Sequence, residues 1–179
     1  MRVDMHLPTS VFCVFSAALL QDMVPVTETL PAKIVFLTGV ALYAMLAKPL
    51  WVALTVTVWA GGLTDALGGL PLLCTSGFLL VVFGAVRLLQ RVFLEATLVQ
   101  GMLLTACVAV CQWVWTRLFV STGAPVFVWQ TAMVLGYAAL GGLVAGFFGF
   151  ALCGWADRMA GIVKPAKEGH GILWAETNR

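Results

Sequence analysis

Charge is what this sequence has least of. Only 10% of its 179 residues are Asp, Glu, Lys or Arg, against about 25% in soluble domains. The apolar share is 61% and the mean hydropathy is +1.01. A large water-facing domain is excluded by that arithmetic. CxxC pairs are also missing: Cys13, Cys74, Cys107, Cys111 and Cys153 lie scattered in apolar runs. Neither a zinc site nor a disulfide framework is indicated. Cys107 and Cys111 are spaced i, i+4 and share a helix face, where packing as small apolar residues is the simpler role. No Ser-His pair, HExxH motif or P-loop is present, so no familiar catalytic or cofactor constellation is available. The net charge is +2 and the basic residues are scattered, which gives no footprint for nucleic acid.

What the chain does have is apolar runs of roughly membrane length. Six are expected to form an all-α, polytopic membrane domain over residues 1–156. They run from about Pro8 to Pro25, Lys33 to Ala47, Leu50 to Leu67, Leu72 to Leu89, Ala96 to Phe119 and Val126 to Cys153. The first is read as an uncleaved span, because its basic start is weak and contains Asp4. Residues 157–179 are polar and Gly/Pro-rich, and are expected to be a disordered cytoplasmic tail. His6 and His170 read as solvated residues rather than metal ligands.

Charge placement orients these spans. With both termini cytoplasmic, Arg2, Lys48, Arg87, Arg91, Arg158, Lys164, Lys167 and Arg179 fall inside, and only Lys33 and Arg117 fall outside. That is a strong positive-inside bias. Trp113, Trp115 and Trp129 fall near the outer boundary, and Trp51 and Trp155 near the inner one, as interface anchors do. Trp59 falls mid-span and is expected inside the bundle. Arg87 and Arg91 are topology determinants and candidates for lipid-headgroup or cytoplasmic-partner contact. Arg91 and Glu95 have the spacing of a weak helix-surface pair.

One acidic residue stands in an apolar run: Trp59-Ala-Gly-Gly-Leu-Thr-Asp65-Ala-Leu-Gly-Gly-Leu-Pro71. A carboxylate at membrane depth costs roughly 2.5–3.5 kcal/mol on insertion scales. The charge count moves Asp65 to the outer end of the third span, at a tight hairpin into the fourth. Gly69 suits the turn, and Pro71 suits the first position of the next helix. Nearby backbone N–H groups, Thr64, Thr75 and Ser76 are its candidate hydrogen-bond donors. Catalysis would need a second titratable group within reach. No motif links Asp22, Glu28, Lys33 or Arg117 to Asp65, so a structural role leads. In the sixth span Ala138, Gly142 and Gly146 form a small-residue row that lets helices approach closely in lipid. Packing inside the bundle is its simpler use, and docking of a partner helix is the other.

The stretch Gly62-Leu63-Thr64-Asp65, Gly69, Pro71-Leu72 resembles the hairpin of the bacterial rod shape-determining MreD family. Lys48-Pro49 and the arginines after the fourth span are similar to that family's layout. The resemblance runs from about Leu30 to Arg91. It departs at Leu73, where the family usually has glycine. It implies a non-enzymatic inner-membrane scaffold without cofactor or metal, acting with MreC. The same assembly holds the actin-like MreB, a RodA-type glycosyltransferase and a class B penicillin-binding transpeptidase, and it serves lateral peptidoglycan synthesis. The resemblance also implies a fold similar to the S-components of energy-coupling-factor transporters. Two other functions stay open. A vitamin-binding S-component would need an outward pocket, built from Asp65, Trp113, Trp115, Arg117 and Trp129. A small intramembrane hydrolase would need Asp22 and Asp65 to cooperate.

Overall fold

The computed structural model describes residues 5–24, 34–71, 73–90, 97–120 and 128–162, with backbone only at 119, 120 and 128–130. Six helices and no strand occur among them: α1 (His6–Met23), α2 (Phe36–Ala47), α3 (Leu50–Gly68), α4 (Cys74–Gln90), α5 (Leu98–Val120) and α6 (Val128–Met159). The six expected segments therefore all appear as helices.

The arrangement is a ring around an axis. α2 touches every other helix, and the other five touch in the order α1, α3, α4, α5, α6 and back to α1. The sequence of α2 explains its place. Phe36-Leu-Thr-Gly-Val-Ala-Leu-Tyr-Ala-Met-Leu-Ala47 carries no charge and no polar face, and a helix apolar all round is buried. Every residue from Phe36 to Met45 is buried. At 12 residues and a rise of 1.5 Å each, α2 is about 18 Å long. That is too short for a hydrocarbon core of about 30 Å. The second expected span is thus a core helix shielded by its neighbours. Among the described residues three helical stretches are long and apolar enough to cross a membrane: Leu50–Gly68, Leu98–Leu118 and Thr131–Met159.

Close backbone approach holds the axis in place. At the α2–α6 crossing a Cβ on Gly149 would lie 2.6 Å from the Gly39 carbonyl carbon, and one on Gly39 would meet the Ala145 carbonyl. Gly142 and Gly146 face α5 instead: Cβ atoms there would lie 2.6 Å from Ala106 Cα and 2.9 Å from Met102 Cα. Ala138, one turn back, is also buried. The small-residue row is thus used inside the bundle. Gly149→Leu should strongly reduce the yield of folded, monodisperse protein in detergent, because backbone cannot give way as a side chain can. Gly136→Leu, where a Cβ meets only open space, should leave that yield unchanged.

The outward faces are apolar, as a lipid-facing surface allows: without water, burial brings no hydrophobic gain. Two expectations change for this reason. Trp59 is 48% exposed and stacks edge-to-face on Phe15 at 6.3 Å, so it lies on the outside of the ring. Cys107 and Cys111 are also exposed. Trp51 and Trp155 are about half exposed, at 49% and 54%, on the outside of the bundle.

Candidate functional site

The helices alternate in direction, so polar groups gather at two ends. At one end α3 runs into α4. Gly69 closes α3 in the left-handed region, with φ 62°, the conformation glycine adopts most easily. The Asp65 carbonyl accepts from both Gly69 N–H and Leu70 N–H. Its side chain reaches the next helix: Asp65 Oδ1 accepts from Thr75 N–H at 2.9 Å. A carboxylate facing the first turn of α4 also complements the helix dipole. Of the candidate donors only this N–H serves it. Thr64 Oγ1 donates to the Ala60 carbonyl and Ser76 Oγ to the Val58 carbonyl. Asp65 is 1% exposed, and its Oδ2 has no hydrogen-bond partner among the described residues.

The turn itself differs from expectation in two places. Pro71 is not the first residue of α4; its carbonyl accepts from Cys74 N–H at 3.1 Å and so closes a turn. The third residue of that turn is Leu73, whose φ is 73°. Type II turns place glycine there, because a side chain is strained at positive φ. Leu73 is 65% exposed, so little packing offsets the strain. Leu73→Gly should therefore stabilise the fold by about 1 kcal/mol in chemical unfolding. The glycine that lets α3 meet α4 is Gly61, not Gly62. A Cβ on Gly61 would lie 2.5 Å from Ser76 Cα, whereas one on Gly62 reaches only Ser76 Oγ at 3.9 Å. Leu72 falls outside the described residues. Trp115 completes this end. Its Nε1 donates to the Cys74 carbonyl at 3.2 Å and its ring packs on Phe78.

The other end holds a site that sequence reasoning missed. α6 continues past Cys153 to Met159, so Asp157 belongs to the helix and not to a polar tail. Asp157 is 3% exposed and Lys48 is 5% exposed. Lys48 Nζ donates to Asp157 Oδ1 at 2.5 Å, and Tyr43 Oη donates to Asp157 Oδ2 at 2.7 Å. Both carboxylate oxygens are thereby satisfied, as a buried charge demands. Lys48 Nζ also approaches Thr9 Oγ1 at 3.5 Å, bringing in α1. From the opposite side α4 caps the end of α2. Arg87 donates to the Lys48 carbonyl at 3.0 Å, and Gln90 Nε2 to the Leu46 carbonyl at 3.1 Å. Arg87 also lies over the Phe83 ring. Its expected companion Arg91 falls outside the described residues, as do Glu95 and residues 163–179.

This network joins α1, α2, α4 and α6 through Lys48. Next to the ion pair is a small, mostly apolar recess with room for about one water, lined by Thr9, Ser10, Cys13, Tyr43, Lys48, Cys153 and Asp157 together with Val40, Ala44 and Val56. Of the sequence candidates, Asp65, Gly69 and Pro71 do come together at one hairpin. Arg87 belongs to the opposite end, and Ala138, Gly142 and Gly146 to neither. Among the described residues no group of three or more His, Cys, Asp or Glu side chains is arranged for a metal ion. Comparison with family models, with curated proteins and with solved structures returned no match.

Proposed function

We propose that this protein is a non-enzymatic membrane scaffold of the cell-elongation machinery, similar to MreD proteins. It acts beside a bitopic MreC-type partner, in an assembly with MreB, a RodA-type glycosyltransferase and a class B transpeptidase. On this reading it resides in the bacterial inner membrane. The Lys48 end, richer in Lys and Arg, faces the cytoplasm, and the Asp65 hairpin faces outward.

The observation that carries the reading is Leu73. The MreD hairpin usually has glycine at this position, and here the leucine takes the left-handed φ of 73° that glycine favours. The backbone thus keeps the geometry that the family's residue suits. A second point agrees with it. Asp65 and Trp115, which a vitamin-binding pocket would present, are both hydrogen-bonded at the α3–α4 hairpin. The hydrolase reading fares no better: Asp22 is exposed on α1 while Asp65 is buried on α3.

Depletion of the protein in a rod-shaped host should turn rods into rounded cells and reduce lateral wall insertion. Unchanged shape and unchanged insertion would refute the proposal.

A further inference from the structure

The turn between α3 and α4 is not built for water. From Ala66 to Cys74 the chain reads Ala-Leu-Gly-Gly-Leu-Pro-Leu-Leu-Cys, with no charged, hydroxyl or amide side chain. Turns that meet water use Asn, Asp and Ser beside Gly and Pro. Ala66, Gly68, Gly69, Pro71 and Leu73 are nonetheless exposed. The backbone of the turn is satisfied from within. Asp65 alone takes up the N–H groups of Gly69, Leu70 and Thr75, two on its carbonyl and one on its carboxylate. The Pro71 carbonyl accepts from Cys74 N–H and the Leu73 carbonyl from Gly77 N–H. Trp115 Nε1 donates to the Cys74 carbonyl, and Pro71 has no N–H to place. Lipid demands such internal pairing of backbone groups, and water does not.

We propose that this turn is a membrane-embedded tip. Pro71 and Leu73 lie at the boundary of acyl chains and headgroups in the leaflet at that end, with phospholipid as their partner. Two features set the depth. α4 has 17 residues, about 26 Å at the helical rise, which is short of a hydrocarbon core of about 30 Å. The apolar turn ahead of it makes up the difference. On the neighbouring α5, Trp115 is level with the Cys74 carbonyl, and Arg117, two residues on, is exposed. Trp and Arg near a helix end mark the headgroup level. The placement also accounts for Leu73, which holds a φ of 73° while 65% exposed. Little packing within the protein offsets that strain, and contact with acyl chains does. Glycine would relieve the strain and lose the contact. A tip of this kind fixes how deep the α3–α4 hairpin sits, whichever proteins the chain meets.

The test uses the full-length chain in vesicles of phosphatidylcholine and phosphatidylglycerol that hold no other protein. The native cysteines are replaced by alanine, and a nitroxide is attached at Leu73→Cys or at Val81→Cys, which is 66% exposed further along α4. Oxygen, which concentrates in lipid, should relax both labels more than a water-soluble nickel chelate does, by a smaller margin at 73 than at 81. A label at 73 that the nickel chelate relaxes more, or that neither reagent reaches, would overturn the proposal. The native chain gives a second reading that no substitution disturbs. In vesicles carrying a phospholipid with a photoactivatable diazirine high on its acyl chain, adducts should map to residues 70–73 as well as to α4. Adducts on α4 with none on the turn would contradict the placement.

Discussion

Replacing Lys48 alone by methionine is expected to destabilise the protein by about 3–5 kcal/mol, because it leaves Asp157 buried and uncompensated. The size follows from burial: the two side chains are 2% and 4% exposed. Tyr43 would still donate to Asp157 Oδ2, but one neutral hydroxyl does not replace an ammonium. Asp157→Leu should cost a similar amount by stranding Lys48. The double variant Lys48→Met, Asp157→Leu should recover most of the loss, since a well-packed apolar pair removes the desolvation penalty of both ions. Unfolding of the four proteins in denaturant completes the cycle. Additive losses in the double variant would mean that the two residues do not act as a pair.

The second large effect is at Asp65, where two substitutions should part company. Asp65→Leu removes the acceptor of Thr75 N–H and leaves a buried donor unsatisfied, at a cost of about 1–3 kcal/mol. Asp65→Asn keeps an acceptor for that N–H. It also removes the charge from a buried side chain whose Oδ2 has no hydrogen-bond partner among the described residues. Asp65→Asn should therefore fold and complement a deletion as the native chain does, while Asp65→Leu should lose protein level or partner assembly. A catalytic carboxylate or a proton carrier behaves otherwise: asparagine would abolish its function with the fold intact. Growth, cell shape and protein level of the two strains separate these outcomes.

Much of the fold was legible because lipid-length apolar runs and their punctuation are local signals. Lys48-Pro49 ends α2, Gly69 ends α3, and each boundary follows from the chemistry of one or two residues. The location of Asp65 near a hairpin followed from counting charges. What could not be read was whatever depends on which face of a helix meets which neighbour. In an apolar helix both faces look alike, so Trp59 was expected inside and lies outside. Gly61 and Gly62 are adjacent, and only the register of α3 on α4 chooses between them. The same limit hid the site at the other end. Lys48 read as a topology charge and Asp157 as the first residue of a tail. Their pairing spans 109 positions and depends on α6 continuing one and a half turns further than its apolar run suggests. A signal was available: a lone lysine at the end of a helix with no polar face needs a counter-charge if it is buried.

The scaffold proposal rests on partners, and co-purification from native membranes of the host tests it most directly. Tagged protein, extracted mildly and analysed by mass spectrometry, should bring down an MreC-type bitopic protein with wall-synthesis enzymes. The Asp65→Asn variant should retain them. Recovery of a paired ATPase with a bound vitamin, and of no elongation protein, would contradict the account.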